Sequence, residues 1–413
     1  MNPRVGVEQR RAAPRFTLLG PAMVAAVAYV DPGNVATNTS AGSKYGYLLL
    51  WVLVLATIVA GVMQYLSAAL GAATGQSLPE LVGQRLGSRA RTGYWLQAEL
   101  IAMATDVAEV VGGAVALRLL FDWPLPVGGV VTGLISLALL MIRDRGGLGR
   151  FELVILGLLV VIAAGFGAGL IASPPSGTQI LHGLVPAFDG IGTVVLAAGM
   201  VGATVMPHAL YVHSALAADR FRQDGADLDL AVKLRITRYD VVLAMILAGA
   251  VNISMLLVAA TALGGSTGVD TLEGAHAALS SRLGPFVALA FAVALLVSGL
   301  SSTAVGSHAG AVVMAGLAPW QVGRTTRRLI TMVPAIVLLA TGIEPTGLLV
   351  GSQVLLCLGI PLVMVPLVRL AMKSELMGPA AAKGALLVFA WAATAVIAAL
   401  DLVLVVLTVT ESG

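Results

Sequence analysis

Two short segments of this sequence gather chemically capable residues inside otherwise apolar runs. The first is Asp31-Pro32-Gly33-Asn34, and the second is Gly202-Ala203-Thr204-Val205-Met206-Pro207-His208. Asp31 offers a hard anionic oxygen, Asn34 a neutral amide oxygen and Met206 a soft thioether sulfur. Each proline removes a backbone donor, and the glycine nearby has no side chain to hold a helix, so carbonyls near Ala28 and Ala203 lose their intrahelical partners. In hydrocarbon such carbonyls need something to bind. Oxygens of several kinds with one sulfur describe a cation site. Thioethers interact poorly with Mg²⁺ and Ca²⁺ but acceptably with later divalent metals, so Met206 moves the preference towards Mn²⁺, Fe²⁺ and similar ions. One carboxylate against a divalent charge leaves a weak site, which suits transport because transport requires release.

The elements around these segments belong in a bilayer. Hydrophobic residues make up 58% of the chain and charged residues 11%, against roughly 25% charged in soluble domains. An all-α integral membrane protein is expected. At about 20 apolar residues per span, the 413 residues allow roughly ten to twelve spans and leave no room for a separate soluble domain. Cys357 is the only cysteine, which excludes a disulfide or a cysteine metal cluster within one chain. Apolar runs lie near 16–42 (broken at 31–34), 46–72, 94–120, 124–142, 152–173, 189–215 (interrupted near 203–207), 239–263, 284–316, 327–342, 345–371 and 384–409, which predicts eleven spans. The N-terminal run follows arginines as a signal peptide would, but it continues through Asp-Pro-Gly-Asn instead of ending at a small-residue cleavage site. A retained helix is expected.

The loops give an orientation. Cytoplasmic loops collect Lys and Arg, and of the 24 basic residues only Lys44, Arg118 and Arg282 fall on the side opposite the N-terminal arginines. The N-terminus, with a segment over 1–15, is predicted to be cytoplasmic and the C-terminus external. Spans one and six each open a set of five, so the two breaks occupy corresponding places in halves of opposite topology. Paired broken helices of this kind point to a transporter with inverted repeats and a midplane site. The repeats are expected over 16–173 and 189–371, with an eleventh helix at 384–409. No residue-level repeat between the halves is evident, so the symmetry rests on topology and the breaks.

Asp31-Pro32-Gly33-Asn34 in the first span, with Met206-Pro207-His208 in the sixth, resembles the Nramp family of divalent metal transporters. Ala104-Thr105-Asp106-Val107-Ala108-Glu109, Arg327-Arg328 and Gly351-Ser352-Gln353-Val354 resemble family segments in the same order, so the likeness covers essentially the whole chain. The resemblance implies a LeuT-like fold with helices 1 and 6 broken at the midplane. It also implies proton-coupled uptake of Mn²⁺ or Fe²⁺, as in the family's bacterial manganese transporters, which sit in the cytoplasmic membrane. Carried over residue by residue, Asp31, Asn34, Met206 and the carbonyls of Ala28 and Ala203 are metal ligands, and Gln353 approaches the ion in some states.

Protons need a route of their own. Asp106 and Glu109 are three apart on one helix and share a face. Intramembrane acids pair with bases, and Arg327 or Arg328 is the expected partner. His208 follows the second break directly, and His213 lies five residues on. These residues suggest a relay from Asp31 past His208 and Glu109 to Asp106 and the arginines, which the resemblance supports. Glu99, seven residues before Asp106, is either a further member or an interfacial charge. A cation stabilises the Asp31 carboxylate, so metal binding and proton release are expected to be linked.

Each residue also has a plainer reading. Asp31 can cap the half-helix after it, Met206 can fill a gap, Arg327 and Arg328 can anchor a cytoplasmic end, and Gln353 and His213 can bond neighbouring helices. A sodium-coupled carrier of an organic solute would share the broken helices but gives no reason for a thioether opposite Asp31. An intramembrane metalloprotease would want His-Glu-x-x-His, which is absent from the sequence. The expected partners are the metal ion, the proton as coupling ion and the lipid bilayer. No enzymatic activity, permanent cofactor, nucleic acid or obligate protein partner is implied.

Overall fold

A computed structural model describes residues 20–411 apart from 147, 224, 267, 319 and 321; the expected 1–15 segment lies outside the described residues. The described residues form helices and no strands. In chain order these are α1 (Pro21–Ala28), α2 (Pro32–Tyr45), α3 (Leu50–Thr74), α4 (Leu78–Gly83), α5 (Ser88–Phe121), α6 (Leu125–Gly146), α7 (Leu148–Ala172), α8 (Gly177–Gly183), α9 (Gly190–Thr204), α10 (Pro207–Gln223), α11 (Leu230–Val258), α12 (Leu272–Leu283), α13 (Pro285–Leu317), α14 (Arg324–Ala340), α15 (Pro345–Ala371), α16 (Ser374–Met377) and α17 (Gly384–Glu411). A helix or a broken pair occupies each expected span. Among the described residues, seven runs are long and apolar enough to cross a membrane, taking Gly190–Gln223 and Leu230–Leu263 as one run each.

Both interruptions are real helix ends, and each restarts on a proline. The first gap covers 29–31, slightly earlier than the expected 31–34, because Pro32 opens α2 instead of sitting in the gap. A proline fits the first helical position, where its missing N–H would have had no partner anyway. Asp31 is extended (φ −82°, ψ 168°) and caps α2 by accepting from the Asn34 amide at 2.8 Å. In the second gap α9 ends at Thr204 and α10 starts at Pro207.

Helix α2 is polar in sequence yet enclosed by the bundle. Asn34, Thr37, Asn38, Thr39, Ser40 and Ser43 are all buried. Small residues let other helices close around it. The Pro32 ring sits in a notch between α5 and α13, since a side-chain carbon at Gly112 would lie 2.1 Å from Pro32 Cβ and one at Gly299 3.4 Å from Pro32 Cγ. On the other flank, a carbon at Gly202 would fall 1.9 Å from the Gln353 carbonyl oxygen, so the end of α9 rests directly on the α15 backbone. These approaches bring both breaks, α5 and α15 to one place.

Candidate metal site

The two prolines explain which carbonyls the breaks release. In a continuous helix the oxygen of residue i takes the N–H of residue i+4. Pro32 has no N–H to offer Ala28, and Pro207 has none to offer Ala203. The Ala203 oxygen instead accepts the Asn34 side-chain amide at 2.7 Å, across the two breaks. The same Asn34 nitrogen lies 3.1 Å from Asp31 Oδ1, and Gln353 Nε2 donates to Asp31 Oδ2 at 3.2 Å. Gly33 makes the last contact feasible, because a side-chain carbon there would lie 1.8 Å from Gln353 Nε2. Asp31, Asn34, Ala203 and Gln353 therefore form one cluster. Met206 and Ala28, each at the edge of a break, are fully buried.

Two oxygens in this cluster lack protein partners. Asn34 Oδ1 and Gln353 Oε1 are buried and accept no hydrogen bond, an arrangement that is rare and unfavourable for an amide oxygen unless something else binds there. A turn of either amide would present oxygen to the point where nitrogen now meets Asp31. The donors gathered in the cluster are thus a carboxylate, two amide oxygens and the Ala203 carbonyl, with the Met206 thioether in the second break. That set fits a divalent transition ion.

Acids of α5 and arginines of α14 form two ion-pair groups. Arg328 forms a buried ion pair with Asp106, its NH1 lies 3.8 Å from Glu109 Oε2, and its Nε donates to Ser136 Oγ at 3.2 Å. Arg327 pairs with Glu99 at 2.9 Å. Both arginines are buried, so neither is a simple interfacial anchor. Glu109 packs on Gly306, where a side-chain carbon would lie 2.8 Å from its Oε1. His208 Nδ1 is 3.4 Å from the Thr105 hydroxyl, next to Asp106 in sequence. His213 points elsewhere and bonds Gln64 of α3.

The buried site lies between two cavities. One of about 690 Å³ is lined by Ser40, Lys44, Asp270 and Glu344, and one of about 440 Å³ by Glu80, Asp219, His308 and Arg327. Asp31 is fully buried between these ends of the bundle.

The family model described as natural resistance-associated macrophage protein-like matches residues 22–407. The chain belongs to the Nramp family. It is 51% identical over 393 residues to the divalent metal cation transporter MntH of Mycobacterium tuberculosis, covering 95% of this chain and 92% of that one. Its structure resembles the manganese transporter of Eremococcus coleocola with a TM-score of 0.85 and 30% identity, over 94% of this chain and 86% of that one. The fold also resembles Mhp1, a nucleobase-cation-symport-1 family transporter, with a TM-score of 0.60 at 16% identity, over 89% of this chain and 82% of that one. The expected LeuT-like architecture is thereby met.

Within this Nramp chain, sequence reasoning missed the side chains that hold the first break open. Asn252 of α11 donates to the Tyr29 carbonyl at 2.7 Å, and Ser298 of α13 donates to the Val30 carbonyl at 2.5 Å. These bonds satisfy the carbonyls that are not directed to the cluster. A lone amide in the apolar α11 was a usable signal for Asn252; Ser298 is one of several serines in α13 and had none.

Proposed function

We propose that this chain imports Mn²⁺, and Fe²⁺ as well, together with protons, by exposing one central site alternately to the two sides of a bacterial cytoplasmic membrane. It is a multi-pass membrane transporter of the Nramp family and not an enzyme. The observation that carries the metal reading is the Asn34 bridge to Ala203, with Asp31 and Gln353 joined to it. Asp31, Asn34, Met206, Gln353 and the carbonyls of Ala28 and Ala203 are the proposed ligands. The names of the relatives, a divalent metal cation transporter and a manganese transporter, agree with that donor set.

For protons the proposed route leaves Asp31 past His208 and Glu109 towards Asp106 and Arg328, then Arg327 and Glu99. Charge balance supports it. Two carboxyl groups share the Arg328 guanidinium, so the cluster is neutral when it holds one extra proton. His213 enters this proposal only as a side branch through Gln64. The two five-helix repeats, the cytoplasmic N-terminus and the external C-terminus are part of the same reading, supported by the distribution of basic residues and the corresponding breaks. Proteoliposomes loaded with a pH dye and given external Mn²⁺ test it. Metal entry with internal acidification is expected, competed by Fe²⁺ and not by Ca²⁺; metal entry without acidification would remove the proton from the mechanism.

A further inference from the structure

Half-helix α1 has a cap that its own sequence does not supply. Its N-cap is Gly20, which has no side chain, and its first residue is Pro21, which has no N–H. Asp240 of α11 fills the role from a distance of 220 residues in sequence: Oδ1 accepts from Gly20 N at 3.1 Å and Oδ2 from Ala22 N at 2.9 Å. Asp240 is buried, and its negative charge faces the positive end of the short helix. At the other end of α1, Asn252 of the same α11 holds the Tyr29 carbonyl. The two grips are about 18 Å apart along α11 at 1.5 Å per residue. Helix α11 therefore runs parallel to α1 and holds it at both ends.

The grips differ in what can replace them. Tyr29 lies in the break at the level of the proposed metal site, where hydrocarbon and packed protein leave its carbonyl no alternative to Asn252. Gly20 is only partly buried at the start of the first span, on the side of the basic loops, so water can reach its N–H once Asp240 withdraws, whereas Ala22 is buried a little further in. Between them stands a helix of only eight residues, joined to α2 through the Tyr29-Val30 turn. Releasing the Asp240 end leaves a short rod pivoting on the Asn252 end.

We propose that Asp240 is the latch of an inner gate: while it holds the start of α1 the central site is closed towards the cytoplasm, and its release lets α1 swing open. Asp240 is a positioning residue that does not touch the metal. The inference rests on the alternating-access reading above and adds to it the side chain that sets the balance between the two open states.

The test uses reporter cysteines in the Cys357→Ser background. Val24→Cys sits on α1, where Val24 is buried, and Val195→Cys sits beside the cavity at the opposite end of the bundle. In detergent micelles, Asp240→Ala is expected to raise maleimide labelling at Val24→Cys about fivefold or more, the size set by loss of a capping carboxylate. Labelling at Val195→Cys is expected to fall, because one side opens as the other closes. Asp240→Glu keeps both acceptor oxygens and is expected to stay close to the parent. A rise at both reporters would mark general loosening and overturn the latch, as would no change at Val24→Cys. Manganese flux by the parent protein in vesicles separates the two readings. A parent without flux fails the transport reading, whereas a parent with flux and an unresponsive Val24→Cys fails the latch alone.

Discussion

The Asn34 side-chain amide donates to the Ala203 carbonyl at 2.7 Å, joining the two helix breaks across 169 residues of chain. The carbonyl it meets is the one that Pro207 leaves without a helical donor, and the proline one turn after Ala28 acts in the same way in the first break. Each break thus frees one carbonyl oxygen from helical bonding, and the one at Ala203 is met by Asn34 of the other break. Asn34 spans the gap with its nitrogen while its own oxygen has no partner, so the bridge can be exchanged for a shared cation by turning one amide.

Asp31→Asn separates the two jobs of Asp31. Asparagine is as good an N-cap as aspartate, so α2 should still start at Pro32 and thermal stability in detergent should change little. The negative charge is lost, and Mn²⁺ uptake and calorimetric Mn²⁺ binding are expected to disappear. Near-normal uptake by a folded Asp31→Asn protein would sink the proposed site.

Met206→Ala should act on selectivity more than on flux. Oxygen donors alone favour hard ions, so removing the thioether is expected to let Ca²⁺ or Mg²⁺ compete with Mn²⁺, while Mn²⁺ transport itself declines less. Competition curves with both ions in vesicles give the answer. Unchanged selectivity would return Met206 to the role of a packing residue.

The sequence made the breaks legible because prolines and polar groups stand out in apolar runs, and Asp31, Asn34 and Met206 needed no neighbours to be noticed. The partition of the arginines was not legible in the same way. Arg327 and Arg328 are adjacent, and only the rotation of α14 against α5 decides that one meets Glu99 while the other meets Asp106 and Glu109. His213 shows the same limit: five residues beyond His208, it faces α3 and Gln64 rather than α5. Asp240 and Asn252 act on α1 from more than 200 residues away, and no local pattern announces such a contact. The half-turn error in placing the first break has a local cause, since a proline is as much a helix starter as a helix breaker.

Arg328→Met should be the most damaging change in the acid-base cluster. It leaves Asp106 and Glu109 without their shared cation, and stripping one partner from a buried pair typically costs about 3–5 kcal/mol. Asp106→Asn removes one carboxylate and leaves Arg328 beside Glu109, so its loss should be smaller. Melting temperatures of the two purified variants should fall in that order. If Asp106→Asn is as unstable as Arg328→Met, Glu109 does not share the guanidinium. In the same series, Glu109→Gln is expected to weaken internal acidification during Mn²⁺ entry, and an unchanged proton signal would count against the relay.

Gly202→Ala tests whether close contact between α9 and α15 sets the geometry at Asp31. The added methyl would lie 1.9 Å from the Gln353 oxygen and 2.9 Å from the Cys357 nitrogen, both backbone atoms that cannot rotate away. Overpacking of this sort costs about 1–3 kcal/mol, and relief requires α15 to move off α9, which draws Gln353 away from Asp31. Gly351→Ala, also on α15, has no atom within 4 Å of its new carbon and serves as the control, with a slight stabilisation expected from replacing a helical glycine. Mn²⁺ affinity measured by calorimetry should fall for Gly202→Ala and hold for Gly351→Ala. Equal affinities in both would mean that Gln353 reaches the carboxylate without the α9 contact to place it.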